Sequence, residues 1–219
     1  MSPWWTQPSP AWIEPGRAAL DGEARECAGA GWREALEALE ALVEARRPRA
    51  LRLVLSGHFT RLAVVPWDKA LASTAERDAY LRHHFGEIYG GEAAEWAFAF
   101  DRAGAPARRL AAAVDRALVD EVRALAARRG LRLAGIEPLV AAELNRQRAS
   151  LAHDTLLFGV LEAGRASLLL VRGGAVERVA SERCAAPAER LERMVVLERL
   201  EAGLASAAAP LHVTERLAA

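Results

Sequence analysis

The sequence predicts an α/β fold with mixed sheets and β-meanders, divided between two lobes. Three observations carry this. Stretches of helical periodicity alternate with short runs rich in aliphatic and β-branched residues, and glycines and prolines punctuate the joins. Near the carboxyl end, three extended runs follow one another before a helix and a last strand. The 219 residues are 52% apolar and 26% charged, a globular composition with enough apolar side chain to bury a real core.

Residues 1 to 30 read as a Pro/Trp-rich arm. Pro3, Pro8, Pro10 and Pro15 block regular helix, while Trp4, Trp5 and Trp12 offer large apolar rings, either for docking onto a partner or for covering a sheet edge of the same molecule. Trp32, Leu36, Leu39 and Val43 recur at helical spacing, which predicts a helix to Arg46 that Pro48 stops. Leu51 to Leu55 and Phe59 to Val65 flank Ser56-Gly57-His58 and read as a hairpin.

Ser73-Thr74-Ala75-Glu76 matches a capping box and opens a helix that Gly90-Gly91 ends. Two extended runs follow, Glu95 to Phe100 and Leu110 to Val114, across the loop Ala103 to Pro106. Asp115 is an N-cap residue for a helix closed by Gly130, Leu131 to Ile136 is a strand, and Pro138 opens a helix reaching about Ser150. Residues 31 to 152 are therefore expected to form a first, incomplete lobe. Residues 153 to 219 make the second: strands Thr155 to Leu161, Ser167 to Arg172 and Ala175 to Ser181, a helix from Pro187 to Glu201, and a strand from Leu211 to Thr214. Gly173-Gly174 is a two-residue hairpin turn within it.

Charge and cysteine usage narrow the function. Lys plus Arg and Asp plus Glu number 29 each, so no global field exists to hold a nucleic-acid backbone. Cys27 and Cys184 lack the spacing of a zinc or thioredoxin site. The amino terminus lacks the pattern of a signal peptide and no apolar run approaches the ~20 residues of a membrane span, which together lead to an expectation of a cytoplasmic protein.

The βββαβ order at the end is that of the ribonuclease-H-like unit from which actin-type proteins are built. Arg49 to Trp67, a strand, short turn and strand ending in Val65-Pro66, resembles a segment of the PilM and GspL family, actin-like cytoplasmic components of type IV pilus and type II secretion machines. Trp96 to Phe100, Arg109 to Val114, and Asp115 to Pro138 with its helix, Gly-Leu turn and Glu-Pro ending are similar in the same order. The resemblance implies an actin-like, ribonuclease-H-like two-lobed fold. It also implies a cytoplasmic scaffold that docks protein partners of an envelope-spanning assembly through strand edges or the groove between lobes, possible homodimerisation included.

Actin-like ATPases place an Asp-x-Gly phosphate motif in the first hairpin of each half, where backbone N–H groups approach phosphate and the Asp positions the metal. The candidates here are Asp21-Gly22 and Glu162-Ala163-Gly164. Both read more simply as ordinary turns, so the expectation is no cofactor, with ATP and magnesium as the alternative. Remaining chemistry is sparse. His83-His84 lack a partner ligand at helical spacing, His153-Asp154 lacks a nucleophile motif, and Asp101, Asp115 and Asp154 sit where turns and caps sit. No catalytic residue and no metal site is predicted.

Overall fold

The computed structural model describes residues 7–67, 71, 73–101, 108–151, 153–204 and 209–216. In chain order the strands are β1 (Ser9–Glu14), β2 (Arg17–Leu20), β3 (Glu23–Glu26), β4 (Ala50–Leu55), β5 (Thr60–Pro66), β6 (Trp96–Phe100), β7 (Arg108–Asp115), β8 (Arg132–Pro138), β9 (Thr155–Glu162), β10 (Arg165–Arg172), β11 (Ala175–Arg183) and β12 (Leu211–Arg216). The helices are α1 (Trp32–Arg46), α2 (Thr74–Tyr89), α3 (Arg116–Arg128), α4 (Leu139–Gln147) and α5 (Pro187–Glu201). The chain divides into two compact units, the described parts of Met1–Thr60 with Val114–Ala142, and of Arg61–Ala113 with Glu143–Ala219. Each unit thus draws on two separate stretches of chain, where the sequence had suggested contiguous lobes.

The first unit holds a five-stranded sheet in the order β3-β2-β1-β4-β8. β1, β2 and β3 form an antiparallel meander, and β4 lies parallel to both β1 and β8. Its core joins Ala11, Ile13, Leu51, Leu53 and Leu55 of the sheet to Leu36, Leu39, Leu42 and Val43 of α1 and Leu118, Val122 and Leu125 of α3. Asp115 caps α3, its Oδ1 accepting from the Ala117 amide at 2.9 Å, while its Oδ2 accepts from Trp32 Nε1 at 2.9 Å and so ties the starts of α1 and α3 together.

Two expectations are corrected in this unit. Residues 9–26 are strands and not part of an arm. Ala11 and Ile13 alternate with the more exposed Pro10 and Trp12, and the prolines sit where β1 begins, where a missing N–H removes little from the ladder. Trp12 is consequently a half-buried residue of a central strand, level with Ala19 and Val54; Trp4 and Trp5 lie outside the described residues. Nor do β4 and β5 form a hairpin. β4 is buried almost throughout and takes partners on both edges, while β5 leaves for a different sheet. Ser56 carries the redirection: its amide donates to Ile13 O at 3.0 Å and its carbonyl accepts from the Phe59 amide at 3.0 Å.

The second unit holds two sheets. One has the order β11-β10-β9-β12, an antiparallel meander with β12 parallel to β9. α5 packs on it through Leu191, Met194 and Val195 against Leu157, Leu161, Leu168 and Leu170. Gly159 is the point of closest approach, since a Cβ there would lie 2.7 Å from Leu191 Cδ2. The Gly173-Gly174 turn has φ of +56° and +72°, the left-handed pair that a two-residue hairpin requires. The other sheet, β5-β7-β6, packs with α2 around Val65, Leu81, Phe85, Trp96 and Ala111. α2 begins with the reciprocal capping box of Ser73 and Glu76.

Candidate functional site

The two meanders place their first turns in equivalent positions. In the first unit the β1–β2 turn is Glu14-Pro15-Gly16-Arg17, with Gly16 at φ +81°; in the second the β9–β10 turn is Glu162-Ala163-Gly164-Arg165, with Gly164 at φ +74°. The likeness continues past the third strand of each meander. The Cys27 amide donates to Gly16 O at 2.8 Å, and the Cys184 amide donates to Gly164 O at 3.0 Å. A Glu-x-Gly-Arg turn closed by a cysteine amide therefore occurs once in each unit. Asp21-Gly22 falls elsewhere, at the β2–β3 turn, with φ of +50° and +86°. The repeated tetrapeptide was the available sequence signal for the first of these turns, hidden by the unequal separations of its matching cysteines.

The side chains at the two turns are differently placed. Arg17 is half-buried and meets Glu14 at 4.0 Å and Glu26 at 3.5 Å. Arg165 is only 7% exposed; its Nη1 donates to Ser181 Oγ at 2.8 Å, and Ser181 in turn lies 2.8 Å from Ser167 Oγ. Burial pushes the Arg165 guanidinium below its usual range, the buried Glu162 beside it works the other way, and Arg183 and Arg61 add to the lowering. Arg165 thus feels one carboxylate, Glu162, and two further guanidinium groups, Arg183 and Arg61.

The other candidate residues are dispersed. His83 is exposed and pairs with Glu87 at 3.6 Å, and His84 stacks on Tyr80. Cys27 and Cys184 are half-buried free thiols, and burial pushes the Cys27 thiol up. Asp101 directly follows β6, with burial raising its carboxyl against the opposing charge of Arg109. Among the described residues no cluster of His, Cys, Asp or Glu could hold a metal ion, and no helix is long and apolar enough to cross a membrane.

A meander, a helix and a parallel strand, built twice, define an actin-like fold, and solved structures bear this out. The chain is similar to a Bacteroides thetaiotaomicron protein of actin-like ATPase fold and unknown function, at 8% identity and a TM-score of 0.61, covering 94% of this chain and 80% of that one. Within the fold its likeness is to PilM and GspL-type proteins. The cytoplasmic domain of EpsL, an inner-membrane component of the type II secretion system of Vibrio cholerae, matches at 12% identity and a TM-score of 0.57, over 96% and 84% of the two chains. PilM, in the PilM–PilN type IV pilus biogenesis complex, matches at 19% identity and a TM-score of 0.58, over 91% and 67%. No protein-family model and no curated protein sequence matches the chain.

Proposed function

We propose that this protein is a non-catalytic cytoplasmic scaffold of a type IV pilus or type II secretion-like machine, acting by docking to protein partners of that assembly. The fold likeness to PilM and the EpsL cytoplasmic domain supports the setting. The observation that carries the non-catalytic part is the β9–β10 turn. A magnesium nucleotide needs a carboxylate free to act on the metal beside amides free to meet phosphate. Here the carboxylate of Glu162 is buried next to Arg165, whose guanidinium also feels the positive charge of Arg183 and Arg61. A cation entering that field is repelled, and Glu162 would have to leave its own counter-charge to bind it.

The second reading, a nucleotide-binding ATPase, is favoured by one feature: both turns keep a left-handed glycine. Calorimetry separates the two. The scaffold reading expects no saturable ATP binding that depends on magnesium; micromolar binding that magnesium strengthens would replace it with the ATPase reading. Cross-linking in cells followed by mass spectrometry then tests the docking role, with envelope-machine components expected among the captured proteins.

A further inference from the structure

The third strands of the two meanders differ in the residue that faces the turn arginine. In the first unit Arg17 of β2 stands directly across from Glu26 of β3, the residue before Cys27, and the two make an ion pair at 3.5 Å. In the second unit Arg165 of β10 stands across from Arg183 of β11, the residue before Cys184. The rest of the two turns corresponds, Glu14 with Glu162, Gly16 with Gly164, and each closing cysteine amide with the other. A base thus takes the place of an acid, although like charges directly opposed on neighbouring strands are destabilising.

The other charges of β11 are satisfied within the chain. Glu177 pairs with Arg172, Arg178 with Glu198 and Glu201, and Glu182 with Arg190. Arg183 is exposed and makes no ion pair or hydrogen bond among the described residues. Arg165 is 7% exposed and donates from Nη1 to Ser181 Oγ, but its Nε is buried without an acceptor, where Arg17 Nε has Glu26 Oε1 at 3.5 Å. A buried donor left unpaired costs stability. Among the described strands β3 and β11 are both the outermost of their sheets, so the two positions are comparable, and in the first unit the group supplied to the turn arginine is a carboxylate.

We infer that Arg165 and Arg183 together receive a carboxylate from outside the chain, the side chain of an aspartate or glutamate on a protein partner. Paired guanidinium groups offer the parallel N–H donors that match a planar carboxylate. Its one negative charge is balanced by Arg183, whereas a phosphate dianion would bring a further negative charge beside the buried carboxylate of Glu162. One charge-assisted contact of this kind is worth roughly ten- to a hundredfold in affinity, far short of holding a free acid at micromolar concentration. The carboxylate therefore arrives on a partner that makes further contacts. The inference rests on the docking role proposed above and names the chemistry of one of its contacts.

The test selects randomised short peptides displayed on phage against the parent chain and against Arg183→Glu, which supplies within the chain the acid that Glu26 supplies to Arg17. Peptides enriched on the parent are expected to share an aspartate or glutamate, and changing that residue to Asn or Gln in the synthetic peptide should weaken binding at least about tenfold by fluorescence anisotropy. Arg183→Glu should lose these peptides by as much, and so should Arg183→Gln, which removes the charge without supplying an acid. Arg183→Glu should also melt about 1–4 °C above the parent, because an opposed like pair becomes an ion pair, and this keeps loss of the site apart from loss of the fold. No enrichment on the parent over Arg183→Glu, enriched peptides without a shared acid, or an Arg183→Glu chain that melts below the parent overturns the inference. Acetate or inorganic phosphate displacing the peptides at micromolar concentration overturns it in favour of a small anion, and an Arg183-dependent dimer of the parent in favour of a second copy. Magnesium-dependent ATP binding, measured separately, would sink the docking role and leave the peptide result to be read by itself.

Discussion

β4 and β12 hold the same place in their units, each following a fifteen-residue helix and each lying parallel to the first strand of a meander. β4 has a second parallel neighbour and is buried almost throughout; β12 has one neighbour among the described strands and alternates between exposed and half-buried residues. The helices differ in step. α1 buries Ala35, Leu36, Ala38, Leu39, Leu42 and Val43, while α5 buries Leu191, Met194 and Val195. The lesson is that a local sequence of meander, helix and strand sets the kind of element, and the presence of one further helix and strand sets how much of it leaves water.

The strongest way to break that comparison is a pair of truncations at the eleventh residue of each helix. Leu42 is 4% exposed and Leu197 51%. Leu42→Ala is expected to lower unfolding free energy by about 2–5 kcal/mol, the range for emptying a buried leucine site. Leu197→Ala should cost under about 0.5 kcal/mol. Equal losses in urea denaturation would show that the two helices are covered alike.

Next in size is Glu143, whose buried carboxylate accepts from Arg146 and from Arg216 of β12, the latter at 2.9 Å. It fastens the face of β12 opposite α5. Burial by itself would raise its carboxyl, but the hydrogen bonds and charges of the two arginines outweigh that and hold it below the ordinary carboxylate range. Its folded value is depressed, so the stabilisation is complete above the unfolded value of about 4.3 and is lost as pH falls through the folded one. Glu143→Gln should cost about 1.5–3 kcal/mol at neutral pH and remove this part of the acid dependence, as denaturation at several pH values would show. Glu198 has the opposite sign. Burial raises its carboxyl against Arg178, so its contribution is present in acid and disappears as pH rises through the folded value.

Smaller effects separate the units further. Asp115→Ala removes the cap of α3 and the acceptor for Trp32 and should cost about 1–2 kcal/mol, with Asp115→Asn recovering much of it. Reduced amide protection is expected in the first turn of α3. Gly174→Ala strains the left-handed β10–β11 turn and should cost about 1 kcal/mol, read as a lower melting temperature.

How much of this was legible follows from the range of each interaction. Helix α5 was bounded at Pro187 and Glu201, and α2 by its capping box, because caps, stops and 3.6-residue periodicity act over a few neighbouring residues. The Gly173-Gly174 turn and the three strands around it were legible for the same reason: positive φ and short apolar runs are written locally. The ribonuclease-H-like order followed from them. The β1 strand was missed because its prolines and tryptophans outweighed a short alternation, and the Glu14 to Arg17 turn was missed with it.

What only the tertiary structure decided is which strand pairs with which. β4 and β5 are adjacent in sequence and divided between sheets, since ladder hydrogen bonds are the same for every residue type and distant strands compete for them on equal terms. The burial of Arg165 beside Glu162 follows from that choice of partners. The amino-acid sequence by itself determined the elements, their turns and the α/β class, because those depend on backbone preference and near neighbours. The neighbours of each edge were settled by packing across the whole chain, where each placement depends on all the others.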